Sequence, residues 1–244
     1  MELYLVRHGQ TQANLDGVYC GRSNLPLTAQ GQLQAQAVAR QLQGVTFDVA
    51  YASRLLRTQQ TLRPIIGEQG AFHVHAGLDE MDFGDWELRH HRDLAREQSA
   101  AYQAWCDDWR HAAPPQGESF TAFSARVTAT LDELVARHAG QRVLLVAHQG
   151  VLALLCAHLL GMAADQMWHF TFAQGCHSLI SIDHDFALLR RLNDRGVGLG
   201  GYQSMPFCAL IPALKACFSG RISLTVSAKA IRSRWQARPV MITD

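Results

Sequence analysis

Lysine is missing from the first 214 residues, and both lysines of this 244-residue chain, Lys215 and Lys229, stand in its last fifth. Over residues 1–196 the fixed positive charge is all arginine, 16 of them against 20 Asp+Glu, a net charge of −4. A mildly acidic body with no basic stripe is a poor nucleic-acid binder, so attraction for an anion must come from a local pocket. The six cysteines (Cys20, Cys106, Cys156, Cys176, Cys208, Cys217) form no C-x-x-C and no paired ligand spacing. In a chain of this length they read as free thiols of a reducing compartment. No basic segment precedes the first apolar run, which speaks against a cleaved signal peptide. The apolar stretch Met205 to Phe218 holds two prolines and a lysine and is too short to span a bilayer. These absences predict a cytoplasmic protein with no nucleic-acid partner and no stable membrane insertion. They leave its oligomeric state open.

Hydrophobic residues make up 48% of the chain and charged residues 18%, enough apolar material for one large domain. Leu3-Tyr4-Leu5-Val6 and Val143-Leu144-Leu145-Val146-Ala147 read as buried strands. A helical pattern capped by Thr28 runs to about Leu42 with Leu33, Ala37, Val38 and Leu42 on one face. Residues 47–52 read as a strand, Ser53 as the cap of a helix to Ile66, and 72–74 as a short strand. Residues 78–90 look like loop. Helices are predicted over about 91–109, 118–138 and 150–160, and a terminal antiparallel hairpin from Ser178–Ile182 and Ala187–Leu192. Alternating strands and helices predict an α/β protein, a three-layer α/β/α arrangement around a mostly parallel sheet. From Gly196 the run Gly196-Val197-Gly198-Leu199-Gly200-Gly201 resembles a linker. The reading is a domain over 1–196 and a basic, poorly ordered C-terminal extension over 197–244.

Each long apolar strand ends in a histidine: the first in Arg7-His8-Gly9, the second in His148-Gln149-Gly150. Strand ends are where open α/β sheets bind ligands, and two such ends side by side would pair two imidazoles. Neutral imidazole is nucleophilic near pH 7, which makes His8 a candidate phosphoryl acceptor. Arg7 supplies a forked cation for phosphoryl oxygens, and Gly9 lets a phosphate approach the backbone. Asn14 offers a neutral hydrogen bond. Arg57, one turn into the helix after Ser53, faces the same pocket, whereas Arg54 and Arg63 read as solvated charges. His148 could balance phosphoryl charge, aided by the backbone N–H of Gln149 at a helix start. Residues 78–87 pack five carboxylates into ten positions, most of them expected to be solvated. One near the pocket could protonate a leaving alkoxide if burial raises its pKa. Glu80 is the choice, and residue chemistry alone does not separate it from Asp79 or Asp82.

The series Arg7-His8-Gly9-Gln10-Thr11 with Asn14, Pro26-Leu27-Thr28-x-x-Gly31, Ser53-x-x-x-Arg57-Thr58, Leu78-x-Glu80, Gly117-Glu118-Ser119 and Val146-x-His148-x-Gly150 resembles the histidine phosphatase (phosphoglycerate-mutase-like) superfamily. The resemblance covers roughly 1–196 and implies that fold. It implies His8 as the phosphorylated nucleophile, Arg7, Arg57 and His148 around the phosphoryl group, Asn14 as a further phosphate ligand and Glu80 as general acid/base. No metal and no cofactor are implied. The sequence departs from the family pattern at Gln10, often glutamate, and at Leu88, where glycine is common after Trp-Glu. Residues 83–94, 104–109 and 161–170 further resemble the superfamily's enteric α-ribazole phosphatase branch. That likeness implies a small phosphomonoester substrate, α-ribazole 5′-phosphate or adenosylcobalamin 5′-phosphate. The alternatives are a broad-specificity phosphatase, a phosphoglycerate mutase or a non-catalytic phospho-ligand module. Trp86, Trp105, Trp109 and Trp168 could line a ring pocket, with core packing the expected role for most. His73-x-His75 and His90-His91 have no acidic or thiol partner at ligand spacing and read as packing or surface residues.

Overall fold

A computed structural model describes residues 1–97 and 99–196, so the extension expected over 197–244 lies outside the described residues. In chain order the elements are β1 (Glu2–Arg7), α1 (Gln12–Asp16), α2 (Ala29–Gln41), β2 (Val49–Ala52), α3 (Leu56–Ile66) and β3 (His73–Val74). There follow α4 (His91–Arg96), α5 (Ala100–Asp107), α6 (Phe120–Arg137), β4 (Arg142–Ala147), α7 (Gln149–Leu159), β5 (His177–Asp183) and β6 (Phe186–Asp194). The strands form one sheet in the order β3-β2-β4-β1-β5-β6. β3, β2, β4 and β1 run parallel, while β5 pairs antiparallel with both β1 and β6. The expected α/β sheet and its terminal hairpin are both present.

Successive side chains of a strand face opposite sides, so a strand covered on both faces is apolar throughout. β4 shows the division. Val143, Leu145 and Ala147 join the cluster built on α6 and α7 with Leu131, Leu134 and Leu152. Leu144 and Val146 join Val38, Leu42 and Leu62 from α2 and α3 on the other face. These are the two helical layers. No helix among the described residues is long and apolar enough to cross a membrane.

Local differences from the sequence reading have physical causes. Thr28 does cap α2, its hydroxyl accepting from Gly31 N–H at 3.0 Å, but Leu33 is 56% exposed and Ala35 takes a place on the buried face. The single helix expected over 91–109 is two short ones, because Ser99 starts a new helix by accepting from Tyr102 N–H. Ser53 does not cap α3, which begins after Leu55, and its side chain is turned to another use described below. The short helix α1 carried too little apolar pattern to be predicted.

Leu88 occupies the left-handed region with φ +59°, a conformation that crowds an L side chain and costs about 1–2 kcal/mol. Glycine, common there in the resembled family, avoids that cost. Because Leu88 is half exposed, Leu88→Gly should lose little burial and raise stability by up to about 1 kcal/mol after the added unfolded-state entropy. An upward shift in thermal midpoint would show it. A lower midpoint would mean that Leu88 packing outweighs the backbone strain.

Candidate active site

β1 and β4 are neighbours in register, with Arg7 opposite Ala147, and His8 N–H continues the ladder to Ala147 O at 3.0 Å. The residues after the two strands are therefore adjacent. The His8 and His148 rings lie 5.2 Å apart, both buried. Gly9 permits this by close contact: a Cβ there would sit 2.4 Å from Gly31 O. That contact gives the two separated glycine motifs one origin.

His8 has a defined tautomer. Its Nδ1 stands 2.8 Å from Gly9 O, and a carbonyl only accepts, so Nδ1 carries the proton and Nε2 presents a lone pair. Burial holds His8 well below the usual histidine range, helped by the charges of Arg57 and Arg7 and opposed by the Gly9 hydrogen bond. The ring is thus held neutral, with a lone pair on Nε2, beside two cations.

Arg57 is buried at the start of α3, donating through Nη1 to Ser23 O at 2.7 Å and through Nη2 to Gly21 O at 2.8 Å. Its Nε is buried with no hydrogen-bond partner among the described residues. Arg7 donates through Nη1 to Phe172 O at 3.0 Å. Asn14 accepts at Oδ1 from Thr11 N–H, the Thr11 hydroxyl and Gln174 Nε2, which fixes its side chain through the oxygen. Gln149 supplies the first N–H of α7, while its side chain bridges Phe170 O and Phe172 N–H and so fastens the segment that also holds Arg7.

Glu80 is buried, with Oε1 accepting from Met81 N–H at 3.0 Å and Oε2 from Gly150 N–H at 2.9 Å. A Cβ on residue 150 would meet Glu80 Oε1 at 2.5 Å, so the carboxyl group seats on the amino end of α7 only because that residue is glycine. Burial raises the Glu80 pKa above the usual carboxylate value, against the two N–H groups and the charges of Arg57 and Arg7, which lower it. The competing carboxylates are otherwise engaged. Asp79 takes Arg54 N–H, Nε and Nη2, and Asp82 accepts from Gly84 N–H. The expectation that most of this segment is solvated fails for Asp79 and Glu87. Arg54 is likewise an ion-pair partner instead of a free surface charge.

Sequence reasoning passed over three supporting groups. Glu118 takes both forks of Arg126, whose Nη1 also donates to Gly77 O and Asp79 O and so braces the backbone leading to Glu80. Ser53 Oγ stands 2.8 Å from His148 Nε2. Glu87 accepts from the N–H groups of Gly21, Arg22, Ser23 and Phe83 and from the Ser23 hydroxyl at 2.6 Å. The carbonyls of Gly21 and Ser23 are the ones that hold Arg57. Glu87 thus aims the guanidinium through the loop, and no local pattern signals a contact spanning 64–66 residues.

Glu87→Gln replaces one accepting oxygen by a donor facing N–H groups. It should cost about 2 kcal/mol of stability and, by loosening Arg57, on the order of 10² in kcat/KM. Steady-state rates below the melting transition separate the two effects. A kcat/KM within twofold of wild type would remove Glu87 from this role.

A nucleophilic imidazole, a second imidazole, two buried guanidinium groups and a protonatable carboxyl group together suit transfer of a phosphoryl group to nitrogen. The model of the histidine phosphatase superfamily (branch 1) matches residues 3–195, and the chain belongs to that family. It is 50% identical over 200 residues to the adenosylcobalamin/alpha-ribazole phosphatase of Escherichia coli K12, covering 82% of this chain and 98% of the relative. The enzyme of the same name from Salmonella typhimurium LT2 is 46% identical over 198 residues, covering 81% and 98%. Among solved structures, the alpha-ribazole phosphatase of Shigella flexneri superposes with a TM-score of 0.78 at 50% identity, covering 82% of this chain and all of that one.

Trp86 and Trp105 are buried in the core cluster. Trp168 is 47% exposed and meets Trp109 edge to face with ring centroids 5.5 Å apart.

Proposed function

We propose that this chain is a phosphomonoesterase acting through a phosphohistidine on His8, with α-ribazole 5′-phosphate or adenosylcobalamin 5′-phosphate as substrate. The observation that carries the reaction is the His8 tautomer: its lone pair is on Nε2, in a neutral ring beside Arg7 and Arg57. In the first step Nε2 attacks phosphorus in line and the ester P–O bond breaks. Glu80 gives its proton to the departing alkoxide oxygen. In the second step water attacks phosphorus, Glu80 takes the water proton, the P–N bond breaks and inorganic phosphate leaves. Arg7, Arg57, His148, the Asn14 amide and the Gln149 N–H stabilise the equatorial oxygens.

The substrate reading is supported by the names of the relatives, which match across nearly their whole length. A cytoplasmic location fits the four free cysteines among the described residues. Initial rates over a panel of phosphomonoesters test the substrate. α-Ribazole 5′-phosphate or its adenosylcobalamin counterpart should give the highest kcat/KM. A preference for 3-phosphoglycerate, or phosphoryl exchange between 2- and 3-phosphoglycerate faster than hydrolysis, would overturn it in favour of a mutase.

A further inference from the structure

Ser53, Thr58 and His148 are all completely buried, so the protons between them are shared only among these groups and the backbone beside them. Thr58 Oγ1 stands 2.8 Å from Leu55 O, and since a carbonyl only accepts, the Thr58 proton goes there. Ser53 Oγ lies 2.9 Å from Thr58 Oγ1 and accepts from Leu55 N–H at 3.2 Å. With the Thr58 proton already spent, Ser53 donates its own to Thr58. Toward His148 Nε2, at 2.8 Å, Ser53 can then only accept. A neutral His148 therefore carries its proton on Nε2 and leaves Nδ1 as a bare lone pair. Nδ1 is buried and has no hydrogen-bond partner among the described residues.

A bare lone pair cannot bind a phosphoryl oxygen; a protonated nitrogen can. We propose that Ser53 and Thr58 are positioning residues that lock His148 as its Nε2–H tautomer, so that binding a tetrahedral dianion draws one proton from solvent onto Nδ1. The charges of Arg57 from α3, Arg7 from the end of β1 and Arg126 from α6 act on His148, the His8 ring lies 5.2 Å away, and Glu80 meets Gly150 two residues on. Without an anion, burial and these cations keep His148 neutral, holding it well below the usual histidine range. A bound dianion offsets the cations and pulls the proton in. The relay thus makes the site's second imidazole a donor only when a phosphoryl group is present. This deepens, and rests on, the reading of the site as a phosphoryl pocket.

Sulfate is a suitable probe, since it stays dianionic near neutral pH and cannot itself supply or take the proton. Calorimetry on the full chain in buffers of different ionisation enthalpy counts protons. Wild type, and Glu80→Gln with the other protonatable carboxyl group removed, should each take up about one proton per sulfate. Their affinity should fall as pH rises above neutral, by up to about tenfold per pH unit. Thr58→Val frees the Ser53 hydroxyl to donate to Nε2, which hands the ring proton to Nδ1. In that variant uptake should drop toward zero and the pH slope should flatten, and Thr58→Ser should restore both. Should Thr58→Val fail to fold, the ¹⁵N shifts of His148 in free wild type report the tautomer directly, with Nε2–H expected. Sulfate binding without proton uptake, an Nδ1–H tautomer in the free enzyme, or a Thr58→Val affinity loss equal at every pH overturns the relay alone. Failure of sulfate to bind wild type overturns the phosphoryl-pocket reading with it.

Discussion

His8→Ala is expected to remove turnover on every phosphomonoester, a loss on the order of 10⁶ in kcat as for other covalent nucleophiles. The size of the effect follows from the lack of a substitute close by. His148 is committed through Nε2 to Ser53 and, on the proposal above, carries a proton on Nδ1 once a phosphoryl group is bound, and the Cys20 thiol is pushed up by burial, away from the reactive thiolate. The fold should survive, since the side chain's hydrogen bond is a local one to Gly9 O. Affinity for phosphate should survive too, because Arg7 and Arg57 are held by backbone carbonyls independently of His8. Steady-state assays with a binding measurement on the same sample check both halves. Substantial residual turnover would end the proposal of covalent catalysis.

Glu80→Gln is expected to divide substrates by their leaving group. Alkyl phosphates release a strongly basic alkoxide and should lose on the order of 10²–10⁴ in kcat, the usual contribution of a positioned general acid. p-Nitrophenyl phosphate releases a weak base and should be affected far less. Hydrolysis of the phosphohistidine also leans little on a base, since phosphoryl transfer passes through a loose transition state. The pH profile carries the same information. Glu80 must be protonated for the first step and burial raises its pKa, so kcat/KM for alkyl phosphates should fall as pH rises through that value. In Glu80→Gln the part of this limb due to Glu80 should vanish, leaving only the fall in anion affinity that proton uptake at His148 imposes. His8, held below the usual histidine range, is already neutral there and adds no opposing limb. Equal losses on both substrates, or an unchanged limb, would take the acid role from Glu80.

The sheet was legible because its central strands bury both faces: Val143 to Ala147 reads as continuous core, and both histidines stand at the ends of such runs. The site residues were legible only together. Arg7-His8-Gly9 alone is compatible with a strand cap; Arg57, Glu80 and His148 at matching strand and helix ends give it chemistry. Less visible were contacts whose partners are distant in sequence. The acid-rich stretch reads as solvated because nothing local shows Asp79 meeting Arg54, or Glu87 receiving the 21–23 loop. Ser53 was misread as a helix cap for the same reason: its partner, His148, is 95 residues away. Propensity finds caps; it does not find a hydroxyl chain closing on a second strand.

The most direct test of the account is to mix enzyme with ³²P-labelled substrate, quench within a turnover and map the label. The account predicts a transient phosphoenzyme that is acid-labile and base-stable, with the label on a peptide containing His8 and absent in His8→Ala. Label on another residue, an acid-stable adduct, or label persisting in His8→Ala would contradict it.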